Sequence, residues 1–210
     1  MKTTTVWVFI IIFTATAFLG ASKAYGEKPI EVITRLVDHV IRILNDPQYK
    51  DPSQRIPQRD QIWQITRDMF DFVETAKRTL ARNWLLFSPT ERKEFSDSFA
   101  ELLAHTYISK VQGEYHNEKV VYLNQEMIRT NQAVVKTKVI REKIETPVDY
   151  SLILKQGSWK VYDINIEGVS LVKNYRDQFN SILIKEKPSQ LIDRVKRKAV
   201  QQKEGQDRQK

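Results

Sequence analysis

Between Gly113 and Gly168 the apolar residues of this chain recur at every second position, whereas on either side they recur at every third or fourth. A period of two belongs to strands with one buried face, and a period near 3.6 belongs to amphipathic helices. The chain is therefore divided into helices, then strands, then helices. That order predicts an α+β fold in which an antiparallel sheet packs its apolar face against helices.

The helical stretches are specific. Ile33, Leu36, Val37, Val40, Ile41 and Leu44 form one stripe over 30–44. Asp46 to Pro57 is polar, carries three prolines and reads as a loop. Helical spacing resumes at Ile62, Ile65, Met69 and Phe70, then at Val73, Ala76, Thr79 and Leu80. Ser88-Pro89-Thr90-Glu91 supplies a cap, a proline at the first helical position and an acid three residues after the cap. The helix it starts is expected to run to about Lys110, with Phe95, Phe99, Leu102, Leu103 and Thr106 inside. Four strands are expected at 119–124, 133–141, 148–155 and 159–166, the last two joined by a turn at Gln156-Gly157-Ser158. A helix capped by Ser170 then carries Val172, Tyr175, Phe179, Ile182 and Leu183. After Pro188 a last amphipathic helix carries Leu191, Ile192, Val195 and Ala199, and the polar end from Gln201 is expected to fray.

Residues 1–26 read as an export signal: Lys2, an apolar run from Val6 to Leu19, then small residues, with cleavage expected after Ala24 or Gly26. The run is shorter than the roughly 20 residues that cross a bilayer. The remainder is expected to be an exported, soluble protein with a binding domain over 27–187 and a C-terminal amphipathic helix and basic tail over 188–210. The net charge of +8 is concentrated at that end, where nine basic residues face four acidic ones from Lys185 onward. The nearly neutral body argues against nucleic acid as a partner. There is no cysteine, which excludes disulfides, thiol catalysis and cysteine-type zinc sites.

Little in the chain speaks for catalysis. It has no glycine-rich phosphate loop, no nucleophile elbow and no paired-histidine zinc motif. His39, His105 and His116 lack ligand spacing, so no metal and no cofactor are expected. Asp149 and Asp163 sit opposite the apolar face of their strands by alternation, away from the burial a general base needs.

One block is distinctive. Trp159-Lys160-Val161-Tyr162-Asp163-Ile164-Asn165-Ile166-Glu167-Gly168-Val169-Ser170-Leu171-Val172, continuing through Asn174-Tyr175-Arg176 to Gln178-Phe179, resembles the signature of the MlaC family of toluene-tolerance, periplasmic phospholipid-binding proteins. Met69-Phe70-Asp71-Phe72, Ser88 to Phe95, and Leu102-Leu103 with Thr106-Tyr107 match it as well, so the likeness spans about 30–183. The family commonly has a glycine at the helix end before the Ser-Pro cap, where Ala81-Arg82-Asn83-Trp84 stands here.

The resemblance implies an NTF2-like curved four-stranded sheet with a deep apolar pocket, and no enzyme activity. It implies a phospholipid cargo, exchanged between an inner-membrane ABC transporter bearing an MCE-domain subunit and an outer-membrane lipoprotein complex, so that outer-membrane lipid asymmetry is kept. A sister branch points to hopanoids as an alternative cargo. A small enzyme with Asp163 or Asp149 as base, and an adaptor with a filled core, are the other readings. On the carrier reading, acyl chains lie between the sheet and the helices. Val121, Leu123, Val135, Val139, Tyr150, Leu152, Leu154, Tyr162, Ile164 and Ile166 are expected on the sheet side. Phe72, Val73, Leu80, Trp84, Leu103, Tyr107, Tyr175 and Phe179 are expected on the helix side. The head group is expected at the mouth, because a phosphate buried without partners is costly. Arg176 is expected to pair with a surface carboxylate.

Overall fold

The computed structural model describes residues 26–207; apart from Gly26, the expected export signal lies outside them. Six α-helices lie among the described residues: α1 (Pro29–Asn45), α2 (Arg55–Met69), α3 (Phe72–Leu80), α4 (Pro89–Glu114), α5 (Leu171–Leu183) and α6 (Pro188–Asp207). Between α4 and α5 run β1 (Lys119–Arg129), β2 (Gln132–Arg141), β3 (Ile144–Lys155), β4 (Ser158–Ile166) and the two-residue β5 (Val169–Ser170). They form one antiparallel sheet in the order β1-β2-β3-β4-β5.

The sheet thus has five strands where four were expected. The fifth arises because Gly168, at φ 84°, folds the chain back so that Val169 and Ser170 pair with Ile166 and Asn165. The segment expected to be a loop contains two short 3-10 turns, at Pro47–Tyr49 and Pro52–Gln54, each opened by an aspartate side chain accepting a backbone N–H. Pro57 lies in the first turn of α2, where its missing N–H costs no hydrogen bond.

Helix starts follow the local chemistry. The Ser88 hydroxyl accepts the Glu91 amide while the Glu91 carboxylate accepts the Ser88 amide at 2.9 Å, a reciprocal cap for α4. Asp71 caps α3 through the Glu74 amide at 2.9 Å. At the chain break between α2 and α3, Phe70 bridges to Val161 of β4 and the Asp71 amide donates to the Val161 carbonyl at 2.8 Å. That contact fastens the helical half to the sheet.

Two apolar cores result. One lies among helices, where Phe95, Phe99, Tyr175 and Phe179 stack edge to face and Leu191, Ile192, Val195 and Ala199 of α6 complete the packing. The other joins α1 to the sheet, with Val32, Ile33 and Leu36 against Val135, Leu152 and Val161. No helix among the described residues is long and apolar enough to cross a membrane.

Candidate functional site

The sheet face is not uniformly filled. Its cross-strand rows read Ala133–Leu152–Val161, then Val135–Tyr150–Ile164, then Thr137–Val148–Ile166, with Val120–Val139–Thr146 at the far end. Ala133, Val135, Leu152 and Val161 are closed under α1 and the end of α2, each at most 1% exposed. Beyond Val135 the inward side chains Val139, Val148, Tyr150, Ile164 and Ile166 face cavity space instead of close-packed helix side chains.

This part of the sheet borders two adjoining cavities. One, of about 470 Å³, runs along α1 past Leu36, Val37, Ile41 and Leu44 toward Val120 and Arg141. The other, of about 320 Å³, runs toward Ile62, Phe72, Leu103, Tyr107 and Leu171. They share a wall of Val40, Thr66, Phe70, Val111, Val139, Val148, Tyr150, Ile164 and Ile166. The result is a forked apolar space between sheet and helices. Val111 and Ile166, both in the shared wall, are 43% and 40% exposed, which places an opening beside the fork.

Polar groups gather at one end of the larger branch. Glu114, Tyr115, Glu118 and Arg141 rim it. Arg141 lies 3.7 Å from Glu118 and 2.9 Å from the His116 ring, and the Asn45 amide donates to the Tyr115 hydroxyl at 2.8 Å. Within the space, the Thr66 hydroxyl donates to the Ile62 carbonyl at 2.6 Å, and the Tyr107 and Tyr175 hydroxyls are hydrogen-bonded to one another. Burial pushes the Tyr150 phenol up to about 12, so it stays protonated. Among the described residues no group of three or more histidines and carboxylates stands where it could hold a metal ion.

Of the residues singled out from the sequence, Phe72, Leu103, Tyr107, Val139, Tyr150, Ile164 and Ile166 come together around this space. Leu80, Trp84, Tyr175 and Phe179 belong to the helical core. Val135 and Leu152 lie in the closed half of the sheet. Leu154 lies at the end of β3 away from the fork, opposite Trp159. Val73 is 55% exposed on α3.

Three placements turn on strand phase. Val120 faces inward opposite Val139, so Val121, opposite Lys138, faces outward. Leu123 sits in the irregularity between Tyr122 and Asn124 and is half exposed. In β4 the register skips from Asp163 to Val161, a bulge that turns Val161 inward and Tyr162 outward, where the Arg78 guanidinium lies 3.9 Å from its ring centre.

The lining contributed by α1 had a visible signal. Its stripe Leu36, Val37, Val40, Ile41, Leu44 continues beyond the sheet rows that it covers. The two candidate catalytic acids stand outside the space. Asp163 accepts the Ser170 hydroxyl at 2.6 Å and the Val172 amide at 3.0 Å, so its carboxylate is occupied at the start of α5. Asp149 pairs with Asn165 and Lys136 across the sheet. Arg176 pairs with no carboxylate; its Nε and Nη2 donate to the Arg78 carbonyl at 3.0 and 2.8 Å, tying α5 to the end of α3.

Residues 34–197 match the family model described as MlaC protein. The chain belongs to the MlaC family. A curated relative, the intermembrane phospholipid transport system binding protein MlaC of Haemophilus influenzae, is 23% identical over 93% of this chain and 94% of its own length. A solved phospholipid-binding protein from Ralstonia solanacearum, determined in complex with a phospholipid, is 24% identical and superposes with a TM-score of 0.74 over 84% of this chain and 99% of its own. That MlaC-type fold is therefore shared by proteins whose sequences differ at three positions in four.

Proposed function

We propose that this chain is a non-enzymatic phospholipid carrier that shelters acyl chains in the forked apolar space and leaves the head group at the mouth. The observation that supports this most is the pair of cavities against the sheet beyond Val135. An apolar space of this size, open beside Val111 and Ile166 and lined mainly by Val, Ile, Leu and Phe, is poorly explained as packing alone. Membership of the MlaC family and the names of the two relatives point the same way.

The energetics suit a carrier. Each buried methylene contributes about 0.8 kcal/mol, so a pocket as apolar as a membrane holds a lipid without chemistry and still returns it. Arg141 at the rim is already engaged by Glu118 and His116. A cation so engaged, at the end of a branch and not at the opening, adds little head-group selectivity. The place of action is the periplasm. The donors and acceptors of cargo are an inner-membrane ABC transporter with an MCE-domain subunit and an outer-membrane lipoprotein complex, the exchange that keeps the outer membrane asymmetric.

Native mass spectrometry of the protein purified from the periplasm tests this reading. A mass increment matching a diacyl phospholipid, removed by organic extraction, is the expected result. A protein that emerges empty, and takes up no lipid from vesicles, overturns it.

A further inference from the structure

One hydroxyl in the shared wall of the fork has no hydrogen-bond partner among the described residues. Of the two hydroxyl-bearing wall residues, Thr66 is occupied by the Ile62 carbonyl, whereas no described residue accepts a hydrogen bond from Tyr150. Tyr150 lies in the sheet row between Val135 and Ile164, one row in from Val148 and Ile166, the latter exposed at the opening. Its hydroxyl is not sealed off from the cavity, and it stays a donor because burial of the phenol keeps it protonated. A bound lipid that placed a carbonyl at the fork would accept from it.

Resting on the carrier reading, we infer that Tyr150 donates to an ester carbonyl of the cargo, and so selects ester-linked diacyl lipids over lipids without a carbonyl. The geometry agrees with how such a molecule divides. Its two ester groups sit where head group and chains meet, next to the opening, and from there one chain enters each branch. Along α1 the first meets Val37 and Ile41, and toward α4 the second meets Leu103 and Tyr107. A polycyclic hopanoid has neither the two chains nor the acceptor.

Competition binding with vesicle-delivered phosphatidylglycerol and its diether analogue, identical in chains and head group, tests the inference on the full protein and on Tyr150→Phe. That variant removes one oxygen from a side chain with no protein hydrogen bond, so folding is retained. The natural protein is expected to favour the diester roughly 3- to 10-fold, as one net hydrogen bond allows. Tyr150→Phe is expected to lose the preference, so that the diester and the diether bind alike. Equal binding of the two lipids by the natural protein, or a preference that survives in Tyr150→Phe, overturns the inference and leaves the carrier reading standing. Failure of the natural protein to bind either lipid overturns both.

Discussion

The carboxylate of Asp163 accepts the hydroxyl of Ser170 at 2.6 Å, and Ser170 in turn accepts the Lys173 amide at 3.0 Å. With the Val172 amide also on Asp163, strand β4 grips the first turn of α5. An acid so occupied supports a helix start, and it lines neither branch of the apolar space. Asp163→Ala is expected to lower stability by about 1–2 kcal/mol, in keeping with lost helix caps, while lipid uptake is unchanged. Urea unfolding together with lipid content by mass spectrometry checks both halves. A variant of wild-type stability, or one that unfolds normally but no longer holds lipid, contradicts this assignment.

Ala81 ends α3 at φ 49°, ψ −121°. This is a conformation that suits glycine and burdens any residue with a Cβ. It falls in the stretch Ala81-Arg82-Asn83-Trp84, the region in which the family resemblance places a glycine. Ala81→Gly is therefore expected to stabilise the protein by about 1 kcal/mol, despite the greater freedom glycine confers on the unfolded chain. A lower denaturation midpoint for Ala81→Gly counts against strain at this turn.

The closed and open halves of the sheet respond differently to substitution. Leu152 is fully buried under α1, so Leu152→Ala is expected to cost about 2–5 kcal/mol while the protein still binds lipid. Val139 borders both branches, and Val139→Trp fills space that no side chain occupies. It is expected to lower lipid occupancy at least tenfold with only a small change in melting temperature. Comparable lipid content in the two variants is the outcome that dissolves this distinction.

The reciprocal cap at α4 predicts an acid limb. Glu91 is held below its ordinary value of 4.5, chiefly by the backbone amide of Ser88 and then by its side chain. A carboxylate lowered in the folded state adds stability above its ordinary value and loses it as pH falls through the folded-state value. Stability is expected to decline as the pH drops below about 4.5, and Glu91→Gln is expected to show a smaller decline over the same interval. Midpoints of urea unfolding at pH 6, 4.5 and 3 measure the difference; parallel curves refute it.

The sequence carried much of this architecture because the two apolar periods are strong. The stripe of α1, the cap of α4 and the alternation of β3 from Val148 to Leu152 all appear where spacing places them. What spacing does not carry is the phase of a strand across a bulge. One extra residue near Leu123 and another at Tyr162 each exchange inward for outward, and nothing in composition marks either. Periodicity also says which face of a helix is buried, not against what. Leu80, Tyr175 and Phe179 face inward as their spacing requires, yet they meet α4 and α6 instead of the sheet. The basic end of the chain illustrates the same point. There Leu191, Ile192, Val195 and Ala199 are buried as their spacing requires, and what they meet is the helical core.

The forked space is bounded by one packed body on the α4–α5–α6 side and another on the α1–sheet side. A hole inside a single core can grow only by breaking that core, whereas a seam between two can be prised apart as each moves rigidly. Admitting cargo of different length or saturation then costs only the contacts that cross the seam. These include the junction where Phe70 and Asp71 clasp Val161 and the grip of Asp163 on Ser170 and Val172.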